Sequence, residues 1–455
     1  MRALGIDFGT SNTVAVVRGG DGRVRPLLFD GTPLLPSAVY RDADGRLLVG
    51  ADAHRRARID PSGFEPNPKR RVDDGTVLLG DADVPVPQLV AALLRHVAAE
   101  ARRQLGGVDE VRLTHPVRWG ERRRMVLVQA AYAAGLPRPT LIAEPVAAAS
   151  YYTSALGAAV PPGRALAVYD LGGGTFDAAV VRRTATGFDV LAEQGLAELG
   201  GLDFDQALVE HLGGVYSPSR TTVWNGLVAP SDTGSRRARA LLYDDVRGAK
   251  EMLSRTVSAD VHLPALDIAA HVTRDELESL IRDHLARTVT CLAQTVAAAG
   301  LAPADLVGVF LVGGSSRIPL AAQLIHTELG VAPTTLEQPE TVVADGALRV
   351  GAAARTGLPG PRPPAPMPRV ATAPPHIVGT PAAGPTSPAA PPMPPPASPA
   401  PFMAPAPVSP HLMPMPAQPT TTPGRPWYDE HGPVLVAALA TMVGIAVVVM
   451  VVLLL

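Results

Sequence analysis

The chain has 455 residues, a formal net charge of −2, 47% hydrophobic residues and a single cysteine. That charge balance provides no global field for nucleic acid, so no nucleic-acid partner is expected. The lone Cys291 excludes an intramolecular disulfide and any multi-cysteine metal site. Aromatics make up only 4%, so alanine and valine must fill much of the core.

The chain opens with Leu4-Gly5-Ile6-Asp7-Phe8-Gly9-Thr10, an apolar strand that ends in an acid and a glycine turn. With an acid this early and no apolar h-region, a cleaved secretory signal is not expected. Residues 13–17 read as the returning strand. Residues 88–105 place apolar side chains at 89, 90, 93, 94, 97, 101 and 105, the spacing of an amphipathic helix. The opening pattern then recurs as Ala167-Val168-Tyr169-Asp170-Leu171-Gly172-Gly173-Gly174-Thr175, followed by a β-rich run at 178–181. Two such hairpins, about 160 residues apart, suggest two related lobes facing each other. Cys291 falls in an apolar-periodic stretch, 280–299, and reads as a buried, inert residue. Strands alternating with helices over residues 1–356 indicate the α/β class.

Residues 357–432 hold 26 of the 48 prolines and no acid before Asp429. Such a segment lacks the donors and large apolar groups of a packed core, and is expected to be a disordered spacer. Residues 434–455 form a 22-residue run without a charge. As a helix it would be about 33 Å long, matching a hydrocarbon core of about 30 Å. A transmembrane helix over 433–455 is therefore expected.

Glycine turns let backbone N–H groups converge on phosphate oxygens. Gly9-Thr10-Ser11-Asn12 and Gly172-Gly173-Gly174-Thr175 both supply such turns with hydroxyls added. Asp7 and Asp170 would then face phosphates, and a cation must lie between. Magnesium suits this, held through waters by one or two carboxylates and by the phosphates.

These motifs give the chain a specific resemblance. Gly5 to Asn12 looks like the first phosphate motif of the 70-kilodalton heat-shock (DnaK) chaperone family, and Tyr169 to Asp177 is similar to its second. Ile142-Ala143-Glu144-Pro145-Val146-Ala147 resembles the first lobe-connecting motif. Leu311 to Pro319, containing Gly313, Gly314, Ser315 and Arg317, resembles the adenosine motif. Ala344-Asp345-Gly346-Ala347 resembles the second connecting motif, and Leu199 to Asp205 another recurrent segment. The order is that of the family, spanning residues 4 to about 354. The resemblance implies an actin-like ATPase fold of two lobes around a nucleotide cleft that binds ATP or ADP with Mg2+.

It also implies roles. Gly9, Thr10, Ser11, Asn12, Gly172, Gly173, Gly174 and Thr175 would contact the phosphates, and Asp7 and Asp170 would hold the hydrated metal. Glu144 and Asp177 would position ions and the attacking water. Lys69 would reach the γ-phosphate; its other reading is a solvated basic run with Arg70 and Arg71. Lys250, Ser254, Gly313, Gly314, Ser315, Arg317 and Asp345 would form the adenosine side, with Arg317 stacked on the base. Arg247 and Glu251 depart from the pattern, since many eukaryotic members carry a glutamate and an arginine there.

A second departure follows residue 351. The family continues with an acidic-hydrophobic linker and a peptide-gripping β-sandwich, whereas here residues 351–355 run into Gly357-Leu358-Pro359-Gly360-Pro361. The expectation is a tail-anchored, single-pass membrane protein with a cytoplasmic ATPase and slow, magnesium-dependent hydrolysis. It would act as a nucleotide-controlled switch for an unidentified client or partner, with a nucleotide exchange factor possible. A non-hydrolysing nucleotide-sensing scaffold and an actin- or MreB-like filament protein are the alternatives.

Overall fold

A computed structural model describes residues 1–218, 221–264 and 266–351. The expected proline-rich spacer and membrane helix lie outside the described residues. Among the described residues, no helix is long and apolar enough to cross a membrane.

Strand β1 (Ala3–Phe8) buries Ala3, Leu4, Ile6 and Phe8, as a strand covered on both faces must. It turns back through Gly9–Ser11 into β2 (Asn12–Arg18), which pairs antiparallel with β3 (Val24–Pro26). Helix α1 (Val86–Leu105) begins with Pro87 in its first turn and stops at Gly106. That glycine takes a left-handed φ of 71°, open to glycine at no steric cost. The apolar stripe at 89, 90, 93, 94 and 97 packs into the first core, as its spacing predicts. Strand β4 (Glu110–His115), helix α2 (Glu121–Ala133), strand β5 (Thr140–Ala143) and helix α3 (Glu144–Ser154) complete the first lobe.

The second lobe repeats the plan. Strand β6 (Ala165–Leu171) turns through the triple glycine into β7 (Phe176–Arg183), which pairs with β8 (Phe188–Leu196). Helices α4 (Gly201–Tyr216), α5 (Thr233–Leu253) and α6 (Arg274–Ala298) follow, then β9 (Leu306–Val312), β10 (Pro333–Thr334) and the short helix α7 (Val342–Arg349). The first sheet runs β5-β4-β1-β2-β3 and the second β8-β7-β6-β9-β10. In both, the strand ending in aspartate pairs antiparallel with its hairpin partner and parallel with a later strand. The repeat seen in seven residues is thus a repeat of whole sheets. Cys291 is buried on α6, as its apolar surroundings predict.

The lobes meet where α3 crosses α7, around Ala147, Val343 and Ala347. A Cβ on Gly346 would lie 2.0 Å from the Ala147 carbonyl oxygen, so only glycine allows this approach. A Cβ on Gly5 would likewise lie 2.5 Å from the Ala344 carbonyl. The last turn of α7 is capped from the first sheet. Arg18 of β2 donates to Leu348 O (2.9 Å), and Arg112 of β4 donates to Ala347 O (2.8 Å) and Val350 O (2.7 Å). Glu110 pairs with buried Arg112 and sits 3.8 Å from the partly buried Arg18, so both cations are compensated. The carbonyls served are those a helix C-terminus leaves without partners.

Candidate active site

A cleft of about 370 Å³ opens between the lobes, and both glycine hairpins reach it. The first turn is pinned by Ser37, whose hydroxyl donates to Gly9 O (2.9 Å) and shares a hydrogen bond with Thr13 (2.9 Å), and whose backbone N–H donates to Ser11 O (2.8 Å). The second turn is pinned by the start of α4. Gly201 N–H donates to Gly172 O (3.0 Å) and Leu202 N–H to Gly173 O (2.7 Å). With those carbonyls engaged, each turn is fixed before any ligand arrives.

The turns also face one another closely. A Cβ on Gly173 would lie 2.1 Å from Ser11 Oγ, and one on Gly174 would lie 2.7 Å from Thr10 Cγ2. Gly313, at φ 83°, brings the strand end of β9 against Asp170: a Cβ there would lie 2.6 Å from Asp170 Oδ1. Side chains at these positions would fill the cradle.

On the cleft floor the acids converge. Asp7 and Asp170 occupy matching places, one residue before the ends of β1 and β6. Thr114 donates to Asp7 Oδ1 (2.7 Å). Glu144, the first residue of α3, is buried and accepts from Lys69 Nζ at 3.2 Å. Lys69 is therefore not part of a solvated run, unlike the exposed Arg70 and Arg71 beside it. Burial alone would lower the Lys69 pKa, but Glu144, Asp7 and Asp170 outweigh it and raise it. Burial raises Glu144 to about 7, assisted by Asp7 and Asp177 and opposed by Lys69. Asp170 rises well above the ordinary carboxylate range, through burial first and then the charges of Glu144, Asp177 and Asp7.

These shifts have a stability consequence. A group whose folded pKa is raised contributes stability that is present below its unfolded value and lost as pH rises through the folded one. For Glu144 the loss spans from about 4.5 to about 7. The nucleotide-free protein is expected to melt at progressively lower temperature as pH is raised from 5 to 8. Glu144→Gln should shrink that slope, because it removes one titration and relieves Asp170 of a neighbouring charge. A slope unchanged by the substitution, in calorimetric melts across that range, would contradict this assignment.

On the far wall, Lys250 donates to Gly201 O (2.6 Å) and pairs with buried Asp205 (2.7 Å). Arg247 approaches the same carboxylate at 3.8 Å. Ser254, one turn on, donates to Lys250 O (3.4 Å) and lines the cleft with Glu251, Gly314 and Ser315. Arg317 is held flat by Glu340 through two contacts of 3.1 Å and also donates to Glu337 O. Two expected residues do not line the cleft. Gly174 sits against Thr10 of the facing turn, and Asp345 pairs with Arg349 one turn along α7. The connecting motif that suggested it serves helix crossing, where Gly346 is the residue that matters.

Sequence reasoning left other site residues unassigned. Asp205 lay inside a motif but had no role, and Glu340 had no signal before Arg317 was seen against it. The turn after β4 was missed entirely. Arg118 there bonds Asp177, while Trp119 lies beneath Lys69, with Nζ 5.6 Å from the ring centroid.

Duplicated sheets, each ending a hairpin in the same cleft, and a floor of converging acids facing one lysine define a two-lobed nucleotide-cleft protein of the actin-like class. The sequence matches the family described as Hsp70 protein over residues 76–358. The chain belongs to the Hsp70 family and carries its ATP-binding domain. Among curated relatives it is 34% identical to the chaperone protein HscA of Pectobacterium carotovorum subsp. carotovorum, over 76% of this chain and 57% of the relative. It is 31% identical to the chaperone protein DnaK of Halobacterium salinarum (76% and 55%) and 32% identical to that of Thermotoga neapolitana (76% and 58%). The chain thus spans a little over half the length of these relatives.

Proposed function

We propose that this protein binds ATP or ADP with Mg2+ in the cleft and hydrolyses ATP slowly, using the change in nucleotide to switch the arrangement of its lobes. The observation that carries this reading is the pair of facing glycine turns with Asp7 and Asp170 at matching strand ends. Among the described residues, no three acidic, histidine or cysteine side chains converge tightly enough to cage a metal directly. That donor set fits a hydrated magnesium, which keeps most of its waters and takes one or two carboxylates plus phosphate oxygens. Asp7 and Asp170 would hold it, and it would neutralise and orient those oxygens.

The chain's own groups supply the rest. Backbone N–H groups of Gly9–Asn12 and Gly173–Thr175 receive the phosphates, and the Thr10 and Thr175 hydroxyls add donors. Lys69 places positive charge at the terminal phosphate end of the cleft, steadied by Glu144 and the Trp119 ring. Asp177 and Glu144 orient the attacking water. Lys250, Ser254, Gly313, Gly314, Ser315 and Arg317 take the nucleoside. Arg317 offers a planar face that Glu340 holds in place. Isothermal calorimetry on the purified protein should show ATP and ADP binding that requires magnesium. Heat-free titrations of a folded sample would sink the reading.

The output is proposed to pass to a partner protein through lobe movement, with an exchange factor resetting the cycle. The charge-free run at 434–455 supports a membrane anchor, and a site that needs ATP favours the cytoplasmic side for the ATP-binding domain. Deleting that run should move the protein from the membrane fraction to the supernatant with unchanged nucleotide affinity. A full-length protein already in the supernatant would refute the anchor.

A further inference from the structure

We propose that Arg118 is a positioning residue for Asp177, holding that carboxylate by hydrogen bonds that cross from one lobe to the other. The inference rests on the hydrolysis reading given above.

The need for such a group arises in the β6–β7 register. Asp170 and Asp177 stand directly opposite one another, and like charges so placed on an antiparallel pair repel. The first-lobe hairpin has no such conflict, because there Asp7 stands opposite Val14. The second hairpin therefore requires a compensating cation, and its own lobe does not provide the one observed. Arg118 comes from the turn between β4 and α2, both in the first lobe. Its Nε and Nη2 donate to a single oxygen, Asp177 Oδ1, at 3.0 and 2.8 Å. Its Nε also lies 3.1 Å from Glu193 Oε1 on β8. A cation from one lobe is thus shared by two acids of the other.

The neighbouring strand makes room for it. Gly195 faces Asp177 across the β7–β8 ladder. A Cβ at Gly195 would lie 2.5 Å from the Phe176 carbonyl oxygen, 2.8 Å from Arg118 Nη2 and 2.9 Å from Asp177 Oδ1, so a side chain there would displace both the strand and the pair. Behind the acids lies a void of about 10 Å³ lined by Pro116, Glu144, Asp170, Asp177 and Glu193. Arg118 and this lining join the rear of the cleft to the turn that also carries Trp119 under Lys69. Asp177 thereby takes its orientation from the spacing of the lobes. The glycine turns that receive phosphate are each pinned within their own lobe and do not depend on Arg118.

Binding and turnover should therefore respond differently. In the purified full-length protein, Arg118→Ala is expected to leave the dissociation constant for magnesium–ATP within about twofold. The single-turnover hydrolysis rate should fall by roughly tenfold to a hundredfold, the scale of a misplaced catalytic group. Arg118→Lys should recover part of the rate. Gly195→Ala should reproduce the loss through crowding. In an Asp177→Asn background, Arg118→Ala should add little, because the two residues act as one unit. Hydrolysis at the wild-type rate by Arg118→Ala would overturn the proposal, as would a full multiplicative loss in the double variant. Wild-type protein that binds ATP but never turns it over would fail at the earlier step, removing the hydrolysis reading and this one together. Melting temperatures identify any variant that fails to fold, and Arg118→Lys then carries the comparison.

Discussion

Replacing Asp170 by alanine is expected to weaken magnesium–ATP binding by about a hundredfold while leaving the nucleotide-free protein folded and more resistant to heat at neutral pH. The first half follows from its place in the cleft. Asp170 lies one residue before the end of β6, beside the glycine turn, with Gly313 pressed against its carboxylate. A residue that helps hold or orient a metal is worth about tenfold to a hundredfold in metal affinity. The second half follows from the unfavourable position of that charge without a cation. Burial and three neighbouring acids push its pKa upward, so the ionised form is costly in the empty fold. Loss of affinity with gain of stability separates this account from a purely structural role, in which both would fall. Calorimetric titration with thermal melts at pH 7.5 reads the two effects. Unchanged magnesium dependence of ATP binding would refute the metal assignment. Asp7→Ala should weaken binding similarly, since it occupies the matching strand end.

Thr175→Ala is expected to produce the opposite pattern, with affinity nearly kept and turnover slowed by roughly a hundredfold, the usual scale for one lost donor at developing charge. Thr175 closes the triple-glycine turn, where its carbonyl accepts from Gly172 N–H at 3.0 Å. The backbone bond survives the substitution, so the turn should keep its shape and only the hydroxyl is lost. Single-turnover measurements against equilibrium binding distinguish this outcome. A variant that loses affinity and rate in equal proportion would show that the hydroxyl serves binding alone.

The fold was legible because its signals are local. An apolar strand ending in aspartate, a glycine turn and a returning strand lie within about a dozen residues, and the chain repeats them. Helix α1 announced its buried stripe by period. Lys69 became interpretable only in three dimensions, because Glu144 is 75 positions away and decides whether the lysine is solvated. The same holds for Arg118 and Asp177, 59 positions apart, and for Lys250 and Gly201, 49 apart. No periodicity encodes such pairs; they arise when two separately folded sheets are brought face to face. Asp345 shows the converse. Its motif was recognised, but the motif's physical content is close helix crossing at Gly346, and the acid beside it is spent on Arg349.

The arginine caps on α7 bear on how a mechanical pull would enter this domain. Tension on the chain beyond Gly351 first meets the carbonyls of Ala347, Leu348 and Val350, which Arg112 and Arg18 hold. Those arginines project from β4 and β2, the two strands that flank β1. The load is therefore delivered to the sheet that carries Asp7 and the first phosphate turn, and it also reaches the second sheet, because Val343, Ala347 and Val350 share one apolar cluster with Val181, Phe188 and Phe310. A tether on this side of the molecule would tug on both halves of the cleft, through arginine hydrogen bonds on one and apolar packing on the other.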